Sequence, residues 1–149
     1  MPDSTFHLDL EAALADLTTA RADLVSAVQP LSTADLECAR RGGWLVHRIL
    51  EHLIQSEWLY AQAAAHLSGA PAPDRGPTAC AGQPADEILC MLDGSRTALL
   101  QAIDGVSEDA FYDIKQLGHE EYSVLSILEK AASHDREHAG QIRTIVGSH

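Results

Sequence analysis

The stretch from Ser68 to Gln83, SGAPAPDRGPTACAGQ, decides the topology of this chain because its sixteen residues exceed what a tight turn requires. It separates two segments with helical periodicity, and antiparallel neighbours in a bundle are normally joined by only a few residues. A helix of about 22 residues is about 33 Å long, whereas sixteen extended residues reach about 50 Å. The stretch can therefore return the chain along the bundle, so that the helices on either side run parallel. A flexible loop in a plain up-down bundle is the alternative.

Four segments carry apolar residues at the three- and four-residue spacing of amphipathic helices. They cover residues 6–29, 44–67, 84–103 and 123–146. Two short helical turns are expected in the connections, one after Ser32 and one after Ser107. No strand is predicted, because alternating runs of β-branched residues are absent. The sequence therefore predicts an all-α fold in one domain over residues 1–149: an up-down-down-up four-helix bundle with a long crossover between helices 2 and 3.

The charge of the chain excludes several classes of partner. Its 22 acidic and 10 basic residues give a net charge of −12. Nucleic-acid binding requires clustered cations, so this balance argues against a nucleic-acid partner and equally against an anionic membrane surface. No stretch approaches the roughly 18 apolar residues of a transmembrane helix. We therefore expect a small-molecule ligand, with no nucleic-acid and no membrane partner.

The number and spacing of the cysteines indicate the redox state of the compartment in which the protein is expected. Cys38, Cys80 and Cys90 are odd in number and form no CxxC motif. They are predicted to be free thiols, which is typical of a reducing compartment. The N-terminal residues also lack a basic region followed by an apolar run, as a signal peptide would have. Both observations predict a cytoplasmic protein.

The last helix carries the strongest chemical signal, the pair His134 and His138 in the sequence HDREH. Residues four apart lie on one helix face, one turn from each other, so two imidazoles can bind one metal ion. Ile127 precedes His134 by seven residues and Ile145 follows His138 by seven, which predicts that both histidines point along the buried stripe. Residues 135–137 are then expected to face mostly solvent.

A third histidine repeats this pattern on the second helix. His52 lies seven residues from both Leu45 and Leu59, so it also falls within an apolar stripe. Buried neutral imidazoles need partners for their nitrogens, and one metal ion bound by His52, His134 and His138 would satisfy all three. Three protein ligands also leave a coordination position open. The alternative is that these are core histidines bonded to carbonyls or water.

Other polar or aromatic residues could lie near these histidines. Arg21 interrupts the apolar stripe of the first helix, where it could contact an anionic substrate or carry its charged head into solvent. Tyr60 or Tyr122 could place a hydroxyl near a metal, although their spacing singles out neither. Trp44 and Trp58 are predicted to be packing residues.

The sequence resembles the DinB-like (YfiT-like) metalloproteins in three short motifs. Residues 43–53, GWLVHRILEHL, resemble the Gly-Trp-Ser-x6-His-Leu segment of that family. The His134-x-x-x-His138 pair, followed by Gln141 and Ile142, resembles the family's last helix, and residues 31–36 fit its Leu-Ser-x-x-x-Leu turn. Leu45 departs from the family pattern, since a serine is common there. That departure weakens a helix cap and leaves the histidines untouched.

The resemblance implies a fold, a cofactor and an activity. It implies the up-down-down-up bundle and makes His52, His134 and His138 ligands of a divalent metal, usually zinc or nickel. The wider superfamily includes S-transferases and maleylpyruvate isomerases that use low-molecular-weight thiols such as bacillithiol or mycothiol. It implies a metal-dependent thiol transferase of detoxification or stress response, with a possible homodimer. The alternative is a stress protein that binds a metal or a small ligand without catalysis.

Overall fold

The computed structural model of the protein describes residues 4–147. Its elements, in chain order, are α1 Ser4–Val28, α2 Thr33–Leu36, α3 Val46–Ser68, α4 Ala85–Ala102, α5 Glu108–Tyr112, β1 Lys115–Leu117, β2 Glu120–Tyr122 and α6 Val124–Gly147. The four long helices α1, α3, α4 and α6 form the predicted bundle. Both predicted short turns are present, as α2 and α5. In this part of the chain no helix combines the length and apolar character needed to cross a bilayer.

Helices α1 and α6 run parallel to each other. Arg136 binds Asp16, and Arg143 donates to Asp23 at 2.8 Å, so residue numbers rise together along the two helices. The first and last helices of the chain are therefore side by side and point the same way.

Helices α3 and α4 form the second parallel pair. The Ser95 hydroxyl donates to Glu57, and the Ser68 hydroxyl donates to the Ala102 carbonyl at 2.7 Å, so numbers again rise together. This arrangement matches the direction that the length of the crossover predicted.

Helices α1 and α4 run antiparallel, which completes the topology. Arg21 donates to the Leu92 carbonyl at 2.9 Å and Arg96 donates to the Leu17 carbonyl at 3.2 Å, so numbers rise along one helix as they fall along the other. The predicted up-down-down-up four-helix bundle is confirmed.

The crossover between α3 and α4 lies along the surface of α3. Its contacts follow α3 in reverse order: Gln62 with Pro73, Trp58 with Gly76, and Glu51 with Cys80. Gly76 is required by this close packing, because an added Cβ would lie 2.7 Å from the Trp58 ring. The chain is thereby returned toward the start of α3 before α4 begins.

A two-stranded hairpin precedes α6, so the prediction of no strand is wrong for residues 115–122. Strands β1 and β2 pair antiparallel with Leu117 opposite Glu120. Gly118 opens the two-residue loop with φ +66°, a conformation that glycine adopts without strain. Each strand has only three residues and is largely exposed, so the apolar alternation that marks a longer strand is missing.

The apolar stripe predicted for α3 is only partly buried. The fully buried side chains of this helix include Ile49, Leu50 and Ile54, whereas Leu45 is 40% exposed and Leu59 is 49% exposed. The seven-residue spacing correctly grouped Leu45 and Leu59 on one face, but that face lies at the edge of the core. His52 lies between them and is consequently near the surface.

Candidate metal centre

The structure brings together the three predicted histidines, which we call the histidine cluster: His52 from α3, and His134 and His138 from α6. One ring nitrogen of each lies within 4.8 Å of those of the others. The Nε2 atoms of His134 and His138 are 2.9 Å apart, and all three rings are partly buried. The i, i+4 spacing on α6 and the antiparallel approach of α3 produce this convergence.

The donor set of the histidine cluster fits a divalent metal. Imidazole nitrogens bind zinc at about 2.0–2.1 Å, so two of them on one ion lie roughly 2.9–3.4 Å apart. The observed separation between His134 and His138 lies at the lower end of that range. Three imidazoles also suit nickel, cobalt or iron.

Gln141 orients one of these rings. Its Oε1 is 2.7 Å from Nδ1 of His138. Because an amide oxygen only accepts, Nδ1 carries the proton and the Nε2 lone pair faces His134. Hydrogen bonds of this kind commonly fix the tautomer of a metal-binding histidine.

The surroundings also favour the neutral form of His52 and His134. Burial lowers the pKa of His52, and the charges of His138 and Arg48 lower it further. Burial lowers the pKa of His134 as well, with added repulsion from His138 and His52. Only the neutral ring has a lone pair for coordination, so both effects favour a ligand-competent state near neutral pH.

Trp44 borders the histidine cluster on one side. Its ring lies edge-on to the His52 ring, with centroids 5.5 Å apart, and the Arg48 guanidinium lies over it at 5.4 Å. Trp44 was predicted to be a packing residue. Its side chain is 50% exposed, so it lies outside the core and packs only at the edge of the histidine cluster. Trp58 is buried beneath the crossover, as predicted.

A cleft borders the histidine cluster on the other side, between α3 and the hairpin. Its volume is about 300 Å³, and it is lined by Ser56, Leu59, Tyr60, Ala63 and Tyr122. The centroids of the Tyr60 and His134 rings are 6.3 Å apart. Both tyrosines singled out in the sequence therefore line one cleft beside the cluster.

A second polar group occupies the interior next to the histidines. We call it the buried charge cluster: Arg21 from α1, Glu57 from α3, Arg96 from α4 and Asp135 from α6. Arg21 bonds to Glu57 at 2.9 Å and to Asp135 at 3.0 Å, and Arg96 bonds to each of the same two carboxylates at 2.8 Å. Each long helix thus contributes one charge, and the two cations balance the two anions.

The guanidinium of Arg21 is occupied within this cluster. Besides the two carboxylates, it donates to the Leu92 carbonyl. Its head is therefore not in solvent, and an anionic substrate would have to displace an internal partner. The geometry favours a structural role for Arg21.

Asp135 corrects an expectation, because it is 1% exposed rather than solvated. It lies seven residues from both Leu128 and Ile142, which are fully buried. The same spacing places Glu57 in phase with Leu50 and Ala64 on α3. This seven-residue phase was the signal in the sequence that could have identified both acids as interior residues.

Comparison with known proteins agrees with this geometry. The sequence model of the DinB superfamily matches residues 16–142. The chain belongs to the DinB superfamily. Among solved structures, it is similar to the crystal structure of TT2238, a four-helix bundle protein, with a TM-score of 0.67 and 22% sequence identity; the match covers 89% of this chain and 96% of that one. No curated protein sequence matches the chain significantly.

Proposed function

We propose that this DinB-superfamily protein binds a divalent metal, zinc or nickel, through His52, His134 and His138, and uses it in a transferase reaction with a low-molecular-weight thiol. Detoxification or stress response is the setting we infer. The observation that carries the proposal is the convergence of three imidazole nitrogens within 4.8 Å at a partly buried site. The hydrogen bond from His138 to Gln141 supports it, because that bond leaves the facing nitrogen free to coordinate.

The residues of the chain have distinct parts in this proposal. The three histidines hold the ion and leave at least one position for a ligand. When bound, a divalent metal supplies Lewis-acid chemistry that lowers the pKa of a thiol toward neutrality. Trp44 and Tyr60 border the site on its two sides.

Metal analysis tests the first half of the proposal. Protein purified without a nickel column is analysed for its metal content, beside a His52→Ala, His134→Ala double variant. We expect about one equivalent of divalent metal in the parent and loss of it in the variant. His66→Ala is the matched control, since His66 is exposed at the end of α3. A parent that neither contains nor takes up metal would contradict the proposal.

A non-catalytic metal- or small-ligand-binding stress protein is the second candidate. One observation favours it: the nearby carboxylates of Glu57 and Asp135 are held by two arginines and are not free to act as bases. Thermal shifts with a thiol test for binding, and conversion of a thiol-reactive electrophile tests for transfer. Stabilisation by the thiol without conversion would favour this second candidate.

A cytoplasmic location and a homodimer are further inferences from the sequence. Cys38, Cys80 and Cys90 are free thiols in the fold, which accords with a reducing compartment. Cell fractionation tests the location, and light scattering of the purified protein tests the oligomeric state.

A further inference from the structure

We infer that the cleft between α3 and the β1–β2 hairpin binds the uncharged, preferably aromatic body of a small ligand whose donor atom reaches the histidine cluster. This inference rests on the proposed function, because it names the chemical class of ligand that the same site would take. Binding of such a ligand by the cleft alone can also be tested without metal.

The cleft lies directly beside the histidine cluster. Tyr60 forms part of its lining and also lies against His134, with ring centroids 6.3 Å apart. One side chain is therefore shared between the cleft and the histidine cluster. A ligand in the cleft needs only to extend past this ring to bring a donor atom to the histidines.

The lining gives the chemistry of the ligand. Leu59, Tyr60, Ala63 and Tyr122 present mostly carbon, with Ser56 as the one hydroxyl residue besides the tyrosines. Leu59 is 49% exposed, so its apolar surface remains in water unless something covers it. A volume of about 300 Å³ suits a ring or a short alkyl chain. Aromatic faces favour an aromatic occupant through offset or edge-on packing.

The charges around the cleft favour a neutral ligand. Glu120 accepts from the Tyr122 hydroxyl at 2.7 Å and lies 3.6 Å from Lys130, so the nearby cation is already paired. The described residues that line the cleft are all uncharged, so an ionic ligand would find no partner of opposite sign among them. A charged body would lose its hydration there without gaining such a partner, which is costly.

Tyr122 acts as a wall of the cleft rather than as a proton donor to the ligand. Its hydroxyl is held by Glu120, and this hydrogen bond raises the pKa of Tyr122 to about 12. The Lys130 ammonium lies over this ring, 5.4 Å from its centroid, in a cation–π contact. The residue therefore offers a positioned aromatic face.

The first experiment compares two thiols on cobalt-loaded protein. Benzyl mercaptan and 2-mercaptoethanol are titrated, and the thiolate-to-cobalt absorption band gives each Kd. We expect benzyl mercaptan to bind at least about tenfold more tightly, which is the discrimination an apolar pocket provides for a hydrophobic group. Ala63→Phe fills the cleft and should abolish this preference while leaving cobalt content and binding of 2-mercaptoethanol unchanged.

The control is Ala15→Phe, the same change on the exposed face of α1, and it should retain the preference. Ser56→Phe is a second cleft-filling variant if Ala63→Phe lowers the melting temperature. Equal affinities for the two thiols, or an unchanged preference in both filled variants, would overturn the inference. Failure to take up cobalt would instead contradict the proposed function.

A metal-free experiment keeps these two failures separate. Metal-free protein is titrated with benzyl alcohol and followed by amide NMR shifts. We expect the largest shifts at Ser56, Leu59 and Tyr122, and their loss in Ala63→Phe. Shifts confined to other surfaces, or no shifts, would overturn the inference whatever the histidines bind.

Discussion

The histidine cluster and the buried charge cluster share helices α3 and α6 but satisfy their buried polar groups in opposite ways. Glu57 follows His52 on α3 by five residues, and Asp135 is next to His134 on α6. In the charge cluster two arginines meet two carboxylates, so each charge has an internal partner of opposite sign. In the histidine cluster three like groups meet each other, with two Nε2 atoms 2.9 Å apart.

We infer from this difference that the charge cluster serves the fold, whereas the histidine cluster is the proposed ligand site. The charge cluster is neutral and links one residue from each of the four long helices, which is an arrangement suited to setting their register. Three facing imidazoles gain nothing comparable from one another, and a cation is the group that satisfies them together. Because Glu57 and Asp135 are both bound by the two arginines beside the histidines, we propose that the charge cluster sets the separation of α3 and α6 there.

The largest expected effect is the loss of unfolding free energy when one arginine of the charge cluster is removed. Removing one partner of a buried ion pair leaves an uncompensated charge, and such changes cost about 3–5 kcal/mol. We expect Arg96→Ala to lower the free energy of unfolding by this amount in urea denaturation. Arg143→Ala, which removes an exposed pair with Asp23, is the control and should cost about 0–1 kcal/mol. Equal, small losses in both variants would mean that the charge cluster does not hold the bundle together.

Removing a histidine from the histidine cluster should change the stability gained from metal rather than the stability of the metal-free protein. Metal that binds only the folded state at 100 times its Kd stabilises that state by about 2.7 kcal/mol. We expect zinc to raise the unfolding free energy of the parent by about this amount and of His134→Ala not at all. Without metal, the variant and the parent should differ little. A His134→Ala protein that is as unstable as Arg96→Ala without metal would remove the distinction between the two clusters.

Acid should affect the charge cluster through Glu57. Burial alone would raise the pKa of this carboxyl, but Arg21 and Arg96, with a hydrogen bond from Ser95, lower it below its usual 4.5. A carboxyl with a lowered pKa contributes stability that is present above its unfolded pKa and is lost as the pH falls through its folded pKa. We expect unfolding free energy to fall steadily below about pH 4.5. Glu57→Gln should be less stable at pH 7 and should lose part of this acid dependence, and an unchanged slope would refute the assignment to Glu57.

The smallest expected effect is on tryptophan fluorescence, because Trp44 lies at the edge of the histidine cluster. Trp44 contacts His52, whereas Trp58 is buried under the crossover. We expect cobalt or nickel to quench the emission of the parent partially. Trp44→Phe should leave only the emission of Trp58, with little response to the metal. Quenching that persists in Trp44→Phe would place the metal elsewhere.

The sequence predicted the bundle and the convergence of the three histidines, because both follow largely from local periodicity, whereas their role as metal ligands stays a prediction. The length of residues 68–83 sufficed to predict parallel α3 and α4, and the spacing of His134 and His138 required them to share a face. The directions of side chains at the edge of an apolar helix face were harder to predict. Ile127 and Ile145 placed the histidines on the apolar stripe, while Leu128 and Ile142 place Asp135 still deeper.

Features that depend on several helices at once could not be predicted. Arg21 stood out on its own helix, but its partners lie on α3, α4 and α6, at a level that only the assembled bundle determines. The hairpin at residues 115–122 was missed because its strands are short and exposed. The cleft depends on Tyr122 of that hairpin facing Tyr60 of α3, which no local pattern expresses.

The parallel arrangement of α1 and α6 has a consequence for the order of events during biosynthesis. Among the four long helices α1 is translated first and α6 last, so the face of α1 that packs against α6 stays uncovered until α6 has been made. At about 5–20 residues per second that interval lasts several seconds or more. The same arrangement sets the start of α1 and the end of α6 at opposite ends of the bundle, about 37 Å apart for helices of this length. A circularly permuted chain would therefore need a linker of at least about a dozen extended residues to join them.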